Sequence, residues 1–255
     1  MKKEIKQVDE AKGIFRVTTA DERWYAIPEN DKVTGLPSYR YIPSVTWITG
    51  HYPKGIAFYK WLADKGWDES QALKQAAGDK GSKVHKAIEM LIGGEELRMD
   101  SKVINPSTGD EEEFTVEEWE AICSFSEWVK EVKPKFLMQE TIVTSEEHGF
   151  AGTVDCVAQI GEDIYIIDWK TSQYVWPEYE LQISAYKQAL KEMGKKTKNA
   201  KLAILQIGYR KNKARYKFTE IDDKFPLFLH AKAIWENETS GQKPAQKDYP
   251  ISVKL

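Results

Sequence analysis

Two aspartates and a lysine stand close together in the second half of the chain, in Gly152-Thr-Val-Asp155 and Ile167-Asp168-Trp-Lys170. Both segments read as β-strands, and the intervening Gly161-Glu162 is a two-residue loop with glycine first, suited to a type II′ hairpin turn. With that loop Ile160 faces Asp163, and counting outward sets Asp155 opposite Asp168, with Lys170 two residues on and therefore on the same face. A loop shifted to Glu162-Asp163 pairs Asp155 with Lys170 and keeps all three on one face. A three-residue loop or a bulge separates them. Facing carboxylates among Val154, Val157, Ile164, Ile166 and Ile167 repel in a low local dielectric. A divalent cation removes that cost. Oxygen ligands suit Mg2+ or Mn2+, and such an ion activates water and offsets charge growing on a phosphate. Lys170 beside it would orient the water or stabilise a pentavalent transition state. The plainer alternative is a lysine bridging two solvated aspartates on an exposed sheet.

Other residues could complete such a site. Glu140, on the preceding β run, offers a third carboxylate, or is a surface strand glutamate. His85, in Gly81-Ser-Lys-Val-His85, falls on an amphipathic helix beside Val84 and Ile88, where a histidine often only packs; as a ligand it suits Mn2+ better than Mg2+. Gln182 and Tyr186 are four apart on a helix, hence on one face, and taken alone are ordinary packing residues. Basic side chains gather in two places. Lys83 lies beside His85 with Lys80 and Lys86, and Arg210, Lys211, Lys213 and Arg215 lie in Tyr209–Lys217 with a tyrosine near each end. Mixed aromatic and basic side chains stack bases and hold phosphates; a basic hairpin loop is also commonly a solvated turn. Ser44 and Thr46 open a helix and could hold a terminal phosphate, or Ser44 is a plain N-cap.

These residues need an α/β frame. Short N-terminal strands are expected over residues 1–43, with Gly13–Thr19 and Arg23–Ile27 the clearest, then a helical layer over 44–132 with a surface loop from Arg98 to Glu113 and a helix from Val116 to Val132 ending before Pro134. Residues 133–240 carry three β runs, a helix from Pro177 to Met193, strands at Ala200–Ile207 and Arg215–Ile221, and a helix at Phe225–Glu238. Residues 241–255 form a tail. The expectation is one domain with a mixed central sheet.

The chain has 255 residues, with 37 Lys and Arg against 40 Asp and Glu. A nucleic-acid binder with that balance needs its positive charge to be local. The acidic stretches Asp110–Glu113, Glu117–Glu120 and Glu146-Glu147 would offset basic ones, leaving a narrow positive track on an acidic surface. Cys123 and Cys156 read as two small buried hydrophobes, too few for a four-thiolate iron–sulfur cluster. The charged opening lacks the apolar core of a signal peptide, and no stretch is apolar enough to span a membrane, so a cytoplasmic protein is expected.

Taken together, these motifs resemble the PD-(D/E)XK nuclease superfamily in its RecB-like branch, over about residues 40–240. The matching pieces are Gly-Ser-Lys-Val-His85, Glu140, Gly-Thr-Val-Asp155, Ile-Asp168-Trp-Lys170 and Leu-Gln182-Ile-Ser-Ala-Tyr186. Ile42-Pro-Ser-Val-Thr46 is similar to a segment of phage exonucleases and of mitochondrial genome maintenance exonucleases. The resemblance implies an αβββαβ core and metal-dependent hydrolysis of DNA. It implies that His85, Asp155, Asp168 and the main-chain carbonyl of Trp169 ligate Mg2+ or Mn2+, with Glu140 helping directly or through a water. Lys170 is implied as the catalytic lysine, with Gln182 and Tyr186 orienting the site. Asp168 stands where many relatives carry Glu. The chain lacks the four cysteines of the iron–sulfur relatives and any Walker A sequence, so no nucleotide cofactor is expected. The implied protein is a free-standing DNA exonuclease acting on single strands or duplex ends in phage or bacterial recombination, replication or repair, in the host cytoplasm, with a recombination or single-strand-binding protein as a partner. Alternatives are a structure-specific endonuclease, a catalytically silent DNA-binding module and, more remotely, a ribonuclease.

Overall fold

The computed structural model describes residues 4–19, 22–30 and 35–239, with 241, 243–245 and 254 beyond; most of the expected tail lies outside the described residues. The chain opens as an antiparallel meander of β1 (Glu4–Asp9), β2 (Ile14–Thr18), β3 (Arg23–Asn30) and β4 (Pro37–Pro43). The sequence pattern marks only β2 and β3. The other two are edge strands: β1 is mostly exposed and so lacks apolar alternation, and β4 begins and ends with proline, which an edge tolerates.

Three helices follow, α1 (Val45–Gly50), α2 (Ile56–Lys65) and α3 (Trp67–Ile92). The expected loop from Arg98 holds a small hairpin, β5 (Val103–Ile104) with β6 (Glu111–Glu112). Helix α4 (Val116–Val132) starts at a reciprocal capping box, in which the Thr115 hydroxyl accepts from the Glu118 N–H and the Glu118 carboxylate accepts from the Thr115 N–H. It stops at Lys133, in the left-handed conformation ahead of Pro134. The meander β7 (Lys135–Ser145), β8 (Phe150–Ile160) and β9 (Asp163–Lys170) comes next. It is followed by α5 (Pro177–Glu192), β10 (Lys201–Ile207), β11 (Tyr216–Ile221) and α6 (Phe225–Glu238).

The central sheet runs β11-β10-β9-β8-β7. Its β7–β8–β9 meander is antiparallel, β10 is parallel to β9, and β11 is antiparallel to β10. A parallel neighbour demands a crossover, and α5 supplies it, which completes the expected αβββαβ order from α4 to β10. Alternation along the strands feeds two cores. Ile166, Leu202 and Ile204 pack with α1, α5, α6 and the N-terminal sheet, whereas Ile167, Trp169, Ala203 and Leu205 pack with α3 and α4. The helices of residues 44–132 thus divide between the two faces, with α1 against α5 and α3 against α4. Each fully buried large apolar side chain, such as Leu181, Ile183 or Trp128, contributes roughly 1.5–3 kcal/mol. Cys156 is buried as expected, but Cys123 lies on the exposed side of α4.

The hairpin register follows the Gly161-Glu162 loop. Gly161 takes φ +60°, Ile160 faces Asp163, and pairing continues to Cys156 opposite Ile167. There it stops, one pair short of Asp155 and Asp168. On the other side of β8 the ladder to β7 passes from Gln139–Cys156 to Thr141–Val154, leaving out Glu140 and Asp155. The sheet is open on both sides of Asp155. Just upstream, Gly152 lets the Tyr186 ring of α5 come close against β8: a Cβ there would fall 2.4 Å from Tyr186 Cε1. Gly152→Ala is therefore expected to destabilise the protein by about 1–3 kcal/mol through overpacking. An unchanged denaturant midpoint would show that the ring can simply move aside.

Candidate active site

Glu140 interrupts β7 with φ +40°. Left-handed backbone costs a non-glycine residue roughly 1–2 kcal/mol, and here it breaks the ladder beside Asp155. The alternation of β8 slips at the same level, because Val154 and Val157, three apart, enter the same core cluster. Asp155 and Asp168 consequently do not stand as a simple facing pair. Asp155 accepts the main-chain N–H of Trp169 at 2.8 Å and lies 3.7 Å from His85 Nδ1 of α3. Asp168 turns toward α5, where Gln182 Nε2 donates to its Oδ1 at 3.0 Å and to the Tyr186 hydroxyl at 3.0 Å. Lys170 Nζ sits 2.6 Å from Asp168 Oδ2 and 4.6 Å from the centre of the Tyr179 ring.

Burial disfavours ionisation of the acids, while the lysine keeps its charge. Burial raises Asp155, against the pull of Lys170 and the Trp169 N–H. Burial likewise pushes Asp168 up to about 6, with Lys170 opposing and Asp155 reinforcing the shift. Glu140 is exposed as a residue, yet its carboxyl is crowded by protein, and that burial together with Asp155 and Glu89 pushes it up to about 8. For Lys170 burial works downward, but Asp168 and Asp155 outweigh it and its pKa is raised. Burial, then Lys170, lowers His85 to about 4.

A neutral His85 has one proton to place. Its Nε2 lies 3.0 Å from the Trp169 carbonyl, which can only accept, so the proton sits on Nε2 and Nδ1 keeps its lone pair. That lone pair looks onto the Asp155 carboxylate. One ligand atom each from His85, Glu140 and Asp155 lie within 4.8 Å of one another. Once ionised, these two carboxylates and the imidazole lone pair offer three acceptors to a divalent cation, whose charge would offset the burial that holds their protons on. A second cluster, Glu147, His148 and Glu192, differs. The Glu192 oxygens already accept from Ser145, Gln188 and the Glu147 N–H.

Of the residues singled out in the sequence, the structure gathers His85, Glu140, Asp155, Asp168, the Trp169 carbonyl, Lys170, Gln182 and Tyr186. Others are occupied elsewhere. Lys83, expected to meet DNA, is buried, and its ammonium lies 2.9 Å from Glu112, Glu118 and the Glu113 carbonyl alike; the charge of its own helix neighbours gave no hint of partners about thirty residues away. Ser44 is a buried N-cap accepting from the Trp47 N–H, and Thr46 bonds to the Ser44 hydroxyl at 3.1 Å. That hydroxyl pair opens a helix of six residues. In the basic loop Arg210 pairs with Glu117, Arg215 pairs with Glu120, and Lys211 sits over Tyr174, while Lys213 is exposed. Lys80 and Arg210 together bring Glu117 down to about 2. The acidic start of α4 and the basic loop thus meet, and two of the loop's four singled-out cations are paired there. Two contributors were overlooked. Glu89 stands four residues from His85 on one helix, a spacing that signals a shared face, whereas Tyr179 beneath Lys170 has no such sequence signal.

Among protein families, a model described as the PD-(D/E)XK nuclease superfamily matches residues 57–249. A search of curated proteins returns no match.

The shifted groups set a pH dependence. Glu140 loses its proton near 4.5 when unfolded and near 8 when folded, so its contribution to stability falls as pH rises through that range. Asp168 acts in the same direction up to about 6. His85 opposes both, because the unfolded chain binds its proton below about 6.5 and the folded chain only near 4. Above pH 6.5 Glu140 continues to act, and Asp155, also raised by burial, works in the same direction. The melting temperature of metal-free protein is expected to fall from pH 6.5 to 8, and Mg2+ or Mn2+ to raise it more at pH 8 than at 6.5. Differential scanning fluorimetry with and without cation checks this; parallel curves would remove Glu140 from the cation site.

Proposed function

Since the chain belongs to the PD-(D/E)XK nuclease superfamily, whose members cleave nucleic acid with divalent metal, we propose that it is a Mg2+- or Mn2+-dependent deoxyribonuclease of the RecB-like branch. We assign it hydrolysis from strand ends, in phage or bacterial recombination, replication or repair. The observation that carries the reading is the convergence of His85, Glu140 and Asp155 beside the Asp168–Lys170 pair, at the point where the sheet opens. The preference for ends is supported by the likeness of Ile42–Thr46 to phage exonucleases.

In this reading His85, Glu140, Asp155, Asp168 and the Trp169 carbonyl hold the cation. When bound, it neutralises charge developing on the phosphate and makes water more acidic. Hydrolysis forms a bond from water oxygen to phosphorus and breaks one ester P–O bond; the attacking water gives up a proton to solvent, and the departing ester oxygen takes one up to leave as a hydroxyl. Lys170 remains an ammonium at neutral pH, because Asp168 and Asp155 hold its proton. It therefore serves as a donor to the attacking water or a phosphate oxygen and not as a general base. Asp168 fixes the lysine at 2.6 Å, and Gln182 fixes Asp168. Tyr186 locks the amide of Gln182 by accepting its second proton, so that α5 orients the pair.

End-labelled single-stranded and duplex DNA, with closed circular DNA as control, tests the proposal. Linear DNA should be degraded with Mg2+ or Mn2+ and spared in EDTA, with circles intact. Lys170→Ala should lose about a hundredfold or more in rate, with the fold retained by circular dichroism. Cut circles would indicate an endonuclease. Intact DNA of every kind, with no cation binding by calorimetry, would leave only a silent module.

A further inference from the structure

Strands β2 and β3 pair with Arg16 opposite Tyr25 and Thr18 opposite Arg23, so Arg16, Arg23 and Tyr25 share one face. The other face, with Val17, Trp24 and Ala26, is committed to the core. The shared face lies against the start of β8. Tyr25 and Thr153 hydroxyls are 3.1 Å apart, the Ser44 N–H donates to the Arg23 carbonyl at 2.9 Å, and Ser44 bridges to Ala151. Thr153 is two residues from Asp155. The neighbourhood of the acids extends this far: Tyr25 feels the charge of Glu140.

These two guanidiniums are placed at a cost. Among the described residues neither is within 4.0 Å of a carboxylate, in contrast to Arg40, Arg98, Arg210 and Arg215, each of which is ion-paired. Arg16 Nε is buried without a hydrogen-bond partner. Burial and then the charge of Arg16 lower the pKa of Arg23. Glu4, on the neighbouring strand opposite Thr18, is felt by Arg23 yet forms no ion pair with it. An unpaired buried donor is costly to leave unmet, so the arrangement calls for an acceptor from outside. Planar guanidinium forks match phosphate oxygens two at a time.

We infer that Arg16 and Arg23, backed by Tyr25, form a subsite for a phosphate group of the nucleic-acid strand held at the neighbouring site. The inference rests on the nuclease reading but concerns β2 and β3, which precede the region matched by the family model. The phosphate is either a strand terminus or an internal diester, and the anchored group places the next phosphodiester over His85, Asp155 and Lys170.

Binding of labelled single-stranded oligonucleotides to full-length protein in Ca2+, read by fluorescence anisotropy, tests this alongside steady-state cleavage in Mg2+. Arg16→Gln and Arg23→Gln are each expected to weaken binding roughly tenfold and to reduce the salt slope by about one. They should raise KM with kcat little changed, whereas Lys170→Ala loses kcat and keeps binding. Arg16→Lys and Arg23→Lys retain the charge without the fork and should fall in between. Oligonucleotides ending in 5′-phosphate, 3′-phosphate or hydroxyl separate the sources. A preference for one phosphorylated end that disappears in the variants identifies the terminus; an equal loss on all three identifies an internal phosphate. If binding and salt slope stay at wild-type values while cation affinity or melting temperature shifts, the arginines merely offset the acids and the inference is overturned. Failure of the wild-type protein to bind any oligonucleotide overturns it together with the nuclease reading.

Discussion

The crowding of Glu140, Asp155 and Asp168 in protein that disfavours their ionisation is the constraint around which the rest is arranged. A closed β-ladder would force these side chains into fixed facing positions. Instead the pairing of β8 omits Asp155 toward both neighbours. The peptide N–H of Trp169 turns to the Asp155 carboxylate, and Glu140 accepts a left-handed backbone. Each departure from regular sheet gives one acid a donor or a direction. The lysine then contacts Asp168, and with Asp155 nearby its proton is held, while His85, Glu140 and Asp155 converge on one point. Such local strain persists only where surrounding structure over-determines it, and here the cores on both faces of the sheet do so.

The helices divide that task. α3 brings His85 from one face and α5 brings Gln182 and Tyr186 from the other. Both bury apolar surface against the sheet, so the polar residues they carry are placed by packing of several kcal/mol rather than by their own weak bonds. The close approach of α5 depends on Gly152, which has no side chain to hold Tyr186 away.

What could be read from the sequence follows from the range of the forces involved. The two-residue loop at Gly161 fixes the hairpin register locally, and that register is found. The boundaries of α4 follow from Thr115, Glu118 and Pro134, all within reach of the helix ends. Edge strands β1 and β4 escaped because their sequence pattern reports burial, and they have little. The ion pairs of Lys83, Arg210 and Arg215 are hidden for another reason. Their partners lie far away in sequence, and no local spacing shows that a lysine on α3 meets the acids around the start of α4. The ladder opening at Asp155 was equally hidden, because a break in pairing depends on both neighbouring strands at once.

Charge balance looks different once those pairs are drawn. The acidic and basic runs that nearly cancel in the composition also cancel in space, Glu117 with Lys80 and Arg210, Glu120 with Arg215, and Glu112 and Glu118 with Lys83. Paired surface charges hold little attraction for a polyanion, since a phosphate would have to displace a carboxylate already in contact. Cations without a carboxylate partner are therefore the ones with attraction to spare. Arg16 and Arg23 meet that condition beside the acids. A protein with slight net negative charge can in this way keep local attraction for phosphate at cations that no carboxylate contacts, while its ion-paired surface attracts a strand little.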